Sequence, residues 1–452
     1  MKRKAGRGEA GRSWCVLILV ATLLALRALP APAQESRGTE SSVAAATDPE
    51  LAAAAERFLS VVSWLADDAR EGRGVGTKGL EEAGEWIAIR FRSLGLEPAG
   101  AAGGYHQPFP VSASGHGGEP PVGGEAFNVV GLLPAGSPDP LPGAVVIGAH
   151  YDHLGMGGSS SRAPDGRVVH NGADDNASGT AALLEVARAL RARRGELRRD
   201  VYFVAFSAEE LGNIGSSAFV HAPPEGLALE GIIAMLNMDM VGRLRDDRLS
   251  VLGGESAEEW SELVAPRCEQ LRLVCAIRGD GFGASDHASF FAAGIPVLHF
   301  FTGAHDEYHT PADDTHLIDP TGGARIAELV TAVAAAVANH EGPLTLRKAA
   351  SAPARTRRHG GARLGTLPDY AGPADGRPGV LLSAVRPESP AEVAGLRRGD
   401  VIVGLGGREI HDIQDFMAAL ESARPGERDT VVVERDGERV ELEVVYGAPA
   451  AR

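Results

Sequence analysis

Four short stretches of this chain, residues 145–149, 201–206, 232–236 and 296–301, are apolar almost throughout, and they restrict its fold more than any other feature. A strand with one wet face alternates polar and apolar residues, so unbroken runs are expected of strands covered on both faces. Between and around them lie stretches with helical spacing, at 51–65, 79–94, 180–193, 257–271 and 321–339. Strands alternating with helices predict an α/β fold: a mixed, mostly parallel central sheet with helices on both faces. Residues 100–124, rich in Gly, Pro and Ser, read as loop and edge strand.

Each apolar run is followed, in a Gly- or Ser-containing turn, by imidazole or carboxylate groups: His150 and Asp152, Glu209 and Glu210, Asp239, and His309. Ligands of open α/β sheets bind outside the carboxyl ends of the strands, so these scattered groups, with Asp174, can converge on one site. In extended chain, side chains two apart share a side, which lets Asp152 stand behind the ring of His150 while the other ring nitrogen faces a cation. The pair Asp174-Asp175 opens a helix, where a cap is the commoner meaning of Asp-Asp, but a cap alone does not explain the His-x-Asp upstream. Two histidines with three carboxylates suit two divalent ions, one carboxylate shared. Of Glu209 and Glu210, one can coordinate while the other handles a proton.

At 452 residues the chain is expected to form two or three domains. Residues 1–33 read as a signal peptide, with basic residues before an apolar run at 14–26 and Ala31-Pro32-Ala33 as a small-x-small cleavage site. That run is shorter than the roughly 20 residues that cross a bilayer, so no stable membrane span is expected after cleavage. Its removal takes six basic residues and only Glu9, moving the net charge from −16 to about −21, which disfavours nucleic acid as a partner. Residues 34–50 read as a flexible leader. Cys268 and Cys275 either pair or remain buried thiols, and neither belongs to a Cys-x-x-Cys zinc motif.

Five motifs in order, His150-Tyr151-Asp152, Gly172-Ala173-Asp174-Asp175-Asn176-Ala177-Ser178-Gly179, Ser207-Ala208-Glu209-Glu210, Asn237-Met238-Asp239-Met240-Val241-Gly242 and Tyr308-His309-Thr310-Pro311, closely resemble those of the M28 family of co-catalytic zinc peptidases. The resemblance implies a zinc exopeptidase fold over residues 51–342 and two Zn2+ ions per chain. It implies that His150 and Asp239 bind one zinc, Glu210 and His309 the other, and that Asp174 bridges them. Glu209 would then be general base and acid, Asp152 would orient His150, and the Asp174–Asp175 peptide would be cis. Peptides with a free N-terminus would be the substrates. A carboxypeptidase, a glutaminyl cyclase or a chiefly binding protein remain alternatives. Ser285-Asp286-His287 also resembles a family motif, as a structural loop or a substrate contact. His153, His170, His299, His305 and His316 are read as ordinary histidines.

Residues 343–361 read as a linker, and 362–447 resemble a small α+β PDZ domain of the bacterial protease type, most clearly from Ser389-Pro390-Ala391 to Arg398-Gly399-Asp400. The resemblance makes Leu364, Gly365, Thr366 and Leu367 the candidate loop for the carboxylate of a peptide or protein C-terminus beside an added strand. It is equally compatible with a structural cap that binds no peptide. The chain is expected to be periplasmic or extracellular.

Overall fold

The computed structural model describes residues 48–447 apart from 114–121, 159, 164–166, 348–361, 369–372, 374–376, 386–388 and 412. The expected signal peptide lies outside the described residues, as do most of the leader and of the linker. Helix α1 (Pro49–Leu65) begins inside the stretch read as leader, because the Asp48 carboxylate accepts from the Glu50 amide and proline at the first turn has no N–H to lose.

Nine strands among the described residues form the first sheet: β1 (Glu97–Pro98), β2 (His106–Ala113), β3 (Val122–Leu133), β4 (Ala144–His150), β5 (Asp200–Phe206), β6 (Ile232–Met238), β7 (Arg248–Leu252), β8 (Val274–Arg278) and β9 (Val297–Phe301). Their spatial order is β1-β3-β5-β4-β6-β9-β7-β8, with β2 beside β3. The apolar runs are β5, β4, β6 and β9, which lie as parallel neighbours flanked by antiparallel β3 and β7. Residues 100–124 contribute a full antiparallel hairpin arm, from His106 opposite Val129 to Ala113 opposite Val122. Pro108 and Pro110 are tolerated there because, among the described residues, β2 pairs with β3 alone and needs no donors on its outer side.

Both faces of the sheet are covered. Val145 and Ile147 of β4 pack with Phe58 of α1 and with α2 (Lys78–Ser93), α3 (Gly179–Ala192), α5 (Trp260–Gln270) and α7 (Pro320–Ala338). Val146, between them, faces the opposite core, where Phe219 of α4 (Ile214–His221) and Phe290 of α6 (His287–Ala292) close the other side. This two-sided burial is why the central runs lack alternation. Helix α7 is long and apolar enough to cross a membrane, but 72% of its most apolar window is buried in the fold, as a core helix. Cys268 of α5 and Cys275 of β8 form a disulfide, their Cα atoms 6.1 Å apart.

The C-terminal unit has its own sheet, built from β10 (Thr366–Pro368), β11 (Val380–Val385), β12 (Val401–Leu405), β13 (Arg408–Glu409), β14 (Arg428–Arg435) and β15 (Glu438–Val445). Its order is β10-β11-β12-β14-β15, with β13 beside β12, and its own core gathers Leu364, Leu382, Ile402, Phe416 and Val433. The short helices α8 (Pro390–Val393) and α9 (Ile413–Ser422) complete it. Strand β10 lies at the sheet edge and follows Gly365, whose φ of +80° suits glycine.

Candidate metal centre

Parallel pairing brings the carboxyl ends of β4, β5, β6 and β9 to one rim. His150 is the last residue of β4, and its Nδ1 donates to the main-chain oxygen of Asp152 at 3.2 Å, while the Asp152 carboxylate is 3.8 Å away. The carbonyl therefore sets the ring. The carboxylate instead accepts from the amides of Glu209 at 3.2 Å and Glu210 at 3.4 Å, fixing the turn after β5. Nε2 of His150 faces Asp175 and Asp239, each at 3.4 Å, with Glu209 at 3.9 Å.

On the other side His309 adopts φ +57° in the loop after β9. Its Nδ1 donates to the Ser160 carbonyl at 3.1 Å, which turns Nε2 toward Asp175 at 3.1 Å and Glu210 at 3.3 Å. Tyr308 stacks on the ring, with centroids 3.8 Å apart.

The carboxylate between the two imidazoles belongs to Asp175, not to Asp174 as the motif reading has it. Asp174 is turned away: its Oδ1 accepts from the Gly242 amide at 2.7 Å and the Ser178 hydroxyl at 2.9 Å, and its Oδ2 lies 3.2 Å from His305. The cis peptide correspondingly joins Asp175 to Asn176 rather than Asp174 to Asp175. Asp313 holds this turn by accepting from the amides of both aspartates, at 3.0 to 3.1 Å. Two adjacent aspartates are chemically identical, and the choice between them is made by Gly242 and Asp313, far away in sequence.

Sequence reasoning also misses Arg73 and His153. Arg73 is fully buried and donates to the carbonyls of Leu65, Tyr151, Asn171 and Gly172 at 2.6 to 3.0 Å. It so ties α1, the end of β4 and the Asp175 turn together. Burial lowers its pKa to about 10, opposed by Asp152, Asp175, Asp313 and Glu210, so it stays a cation beside four carboxylates. Nothing marks it in sequence beyond its place between Gly72 and Gly74. His153 Nδ1 lies 2.8 Å from Glu210; its only signal is proximity to His150.

Burial, with repulsion from Glu210, Asp286 and Asp239, holds the Glu209 carboxyl well above the usual range despite the opposing His150. Burial raises Asp152 and Asp286 to about 7. Asp286 and His287 are buried behind this rim, and the Ser285 hydroxyl accepts from Asn237, which also meets His299. His287 and His299 are kept neutral by burial, with pKa values lowered to about 3.

The fold thus gathers His150, Glu209, Glu210, Asp239 and His309 from distant positions and places Asp152 at their back. The chemistry fits divalent ions. Donor atoms of His150, Asp175 and Asp239 all lie within 4.8 Å of one another, as do those of His153, Asp175 and Glu210. Asp239 Oδ1 is buried with no hydrogen-bond partner among the described residues, as expected of an atom meant for a cation.

Residues 128–334 match the model of peptidase family M28, and residues 359–445 match that of the PDZ domain. The chain is 32% identical over 219 residues to aminopeptidase YwaD of Bacillus subtilis, covering 46% of this chain and 44% of that one. It is 30% identical over 182 residues to leupeptin-inactivating enzyme 1 of Streptomyces exfoliatus, covering 40% of this chain and 37% of that one. It therefore spans less than half the length of either relative. Among solved structures it is similar to a glutaminyl cyclase of Porphyromonas gingivalis, with a TM-score of 0.51 and 20% identity over 62% of this chain and 96% of the other. That likeness speaks for the fold.

Proposed function

We propose that this chain, which carries an M28 peptidase domain followed by a PDZ domain, is an exported di-zinc aminopeptidase that removes N-terminal residues from peptides. The observation that carries the reading is Asp175, whose carboxylate stands between His150 and His309, with Asp239 on one side and Glu210 on the other. His150, Asp239 and Asp175 would hold one ion; Asp175, Glu210 and His309 would hold the second. Bound zinc supplies Lewis acidity, polarising a carbonyl and making water acidic enough to ionise near neutral pH.

The chain's own residues do the rest. Glu209, beside the cluster and with raised basicity, takes a proton from the attacking water and returns it to the leaving amine nitrogen. Asp152 holds the Glu209 amide, so this carboxylate is fixed relative to His150. In the C-terminal unit, backbone amides of Leu364, Gly365, Thr366 and Leu367 would receive a C-terminal carboxylate while the peptide adds a strand beside β10. The edge position of β10 supports this. Export is supported by the pattern at 1–33 and by the Cys268–Cys275 disulfide, since such bonds persist in oxidising compartments.

A panel of aminoacyl chromogenic substrates, with chelator and with added zinc, tests the reaction. Hydrolysis should need a free N-terminus and be lost with the metal. Glu209→Gln should keep close to two zinc ions per chain while turnover falls by about 10²-fold or more. Cleavage of N-terminally blocked peptides would point to a carboxypeptidase instead, and cyclisation of N-terminal glutamine to the cyclase chemistry of the structural relative.

A further inference from the structure

Resting on the di-zinc reading, we infer that His153 is a fourth protein donor to the second ion, alongside Asp175, Glu210 and His309. Its ring is held from behind. His153 is 2% exposed, and its amide donates to the Arg73 carbonyl at 3.2 Å. The ring lies flat on Gly172, at φ +53°, where any Cβ would come within 2.5 Å of ring atoms Cγ and Cδ2. Behind the ring there is room for a hydrogen atom and no side chain.

Held this way, Nδ1 points into the cluster. It is 2.8 Å from Glu210 Oε1 and 3.7 Å from Asp175 Oδ2, the same two carboxylates that face Nε2 of His309. The His153 and His309 rings approach edge to face, with centroids 5.8 Å apart, so both imidazoles border the same two carboxylates, His153 at Glu210 Oε1 and His309 at Glu210 Oε2. Nε2 of His153 has no hydrogen-bond partner among the described residues, so those carboxylates are the polar groups its imidazole meets there. Neutral imidazole and carboxylate are ordinary donors for zinc, and four protein donors describe a closed site.

The two sites then differ in kind. His150, Asp175 and Asp239 offer three donors and leave positions open for water and substrate. The His153 side is closed by four, so its ion is held more tightly and serves to anchor. Losing a donor should weaken that ion by at least about 100-fold, the upper end of what losing an outer hydrogen-bond partner costs.

The full chain, stripped of metal and titrated with Zn2+ or Co2+ alone, tests this by metal content against graded chelator. Wild type should release its ions in two separated steps, and His153→Ala should lose the tighter step. His153→Asn keeps an amide donor where Nδ1 stands, able to bond Glu210 but a poor ligand. It should behave like the alanine variant. In the Co2+ form, paramagnetically shifted exchangeable imidazole N–H signals should number three in wild type, from His150, His153 and His309, and that count needs no variant to fold. Two such signals, an alanine variant with unchanged affinities, or an asparagine variant that binds like wild type would each overturn the assignment while leaving the di-zinc reading in place. Failure of wild type to take up stoichiometric metal would overturn both.

Discussion

His150 and Asp239 stand at the ends of paired parallel strands, whereas Asp175 lies in the helical turn before α3, and His153 and His309 sit on loops, all beyond the sheet. On the strand side, register fixes where the groups emerge, since β4 lies between β5 and β6, and neighbouring Asp152 then holds the His150 ring and the Glu209–Glu210 turn. On the loop side, position is set by long-range hydrogen bonds from Asp313, Ser160 and Arg73. A sheet positions strand ends through many repeated bonds, so their placement does not hang on one side chain. A loop cluster depends on a few polar anchors, each of which can be removed singly.

The largest effect should come from the residue that belongs to both sides. Asp175→Ala is expected to lower turnover by about 10⁴-fold or more and bring metal content below two ions per chain, read by kinetics and elemental analysis. If Asp174→Ala did this instead, the assignment between the adjacent aspartates would be reversed.

Arg73→Met should be next. It leaves buried carbonyls and carboxylates without their cation, at a cost on the order of 3–5 kcal/mol in denaturant unfolding. The second ion should be lost before the first. Equal loss of both would break the distinction between the two sides.

Asp174→Ala removes acceptors for Gly242 and Ser178 and should cost about 1–3 kcal/mol, with zinc retained.

The effect that is smallest at neutral pH concerns two buried rings beside the strands. His287 and His299 are neutral in the fold, with pKa values near 3 against 6.5 for the free group. Because the folded values are depressed, the unfolded chain binds protons first as pH falls. This stability is complete above about pH 6.5 and is lost progressively toward pH 3, at up to about 1.4 kcal/mol per pH unit for each ring. His287→Leu should remove one such contribution from the slope of unfolding free energy against pH; an unchanged slope would mean that the ring is not buried neutral.

The same division explains what can be read in advance. The strand residues His150, Glu209, Glu210 and Asp239 are legible because unbroken apolar runs locate parallel strands and chemistry gathers at their ends. His309 is legible through its motif, although no periodicity reaches it. The bridging role falls one residue short of Asp175 in the motif reading, since the local pattern cannot tell which of two aspartates a remote amide will claim. Arg73 gives no signal because its partners are all main-chain carbonyls, which every sequence contains. Helix α1 begins earlier than the polar, alanine-rich composition there indicates, because Asp48 caps it. The hairpin arm β2 is obscured by prolines that an outer strand accepts.

Arg73 has a practical consequence. Likeness to the peptidase family model starts at Asn128, well downstream of it. A fragment trimmed to the recognisable segment would retain every residue assigned as a metal ligand, yet lack the guanidinium that clasps their supporting loops. The working boundary of this centre reaches further toward the N-terminus than the boundary of its resemblance.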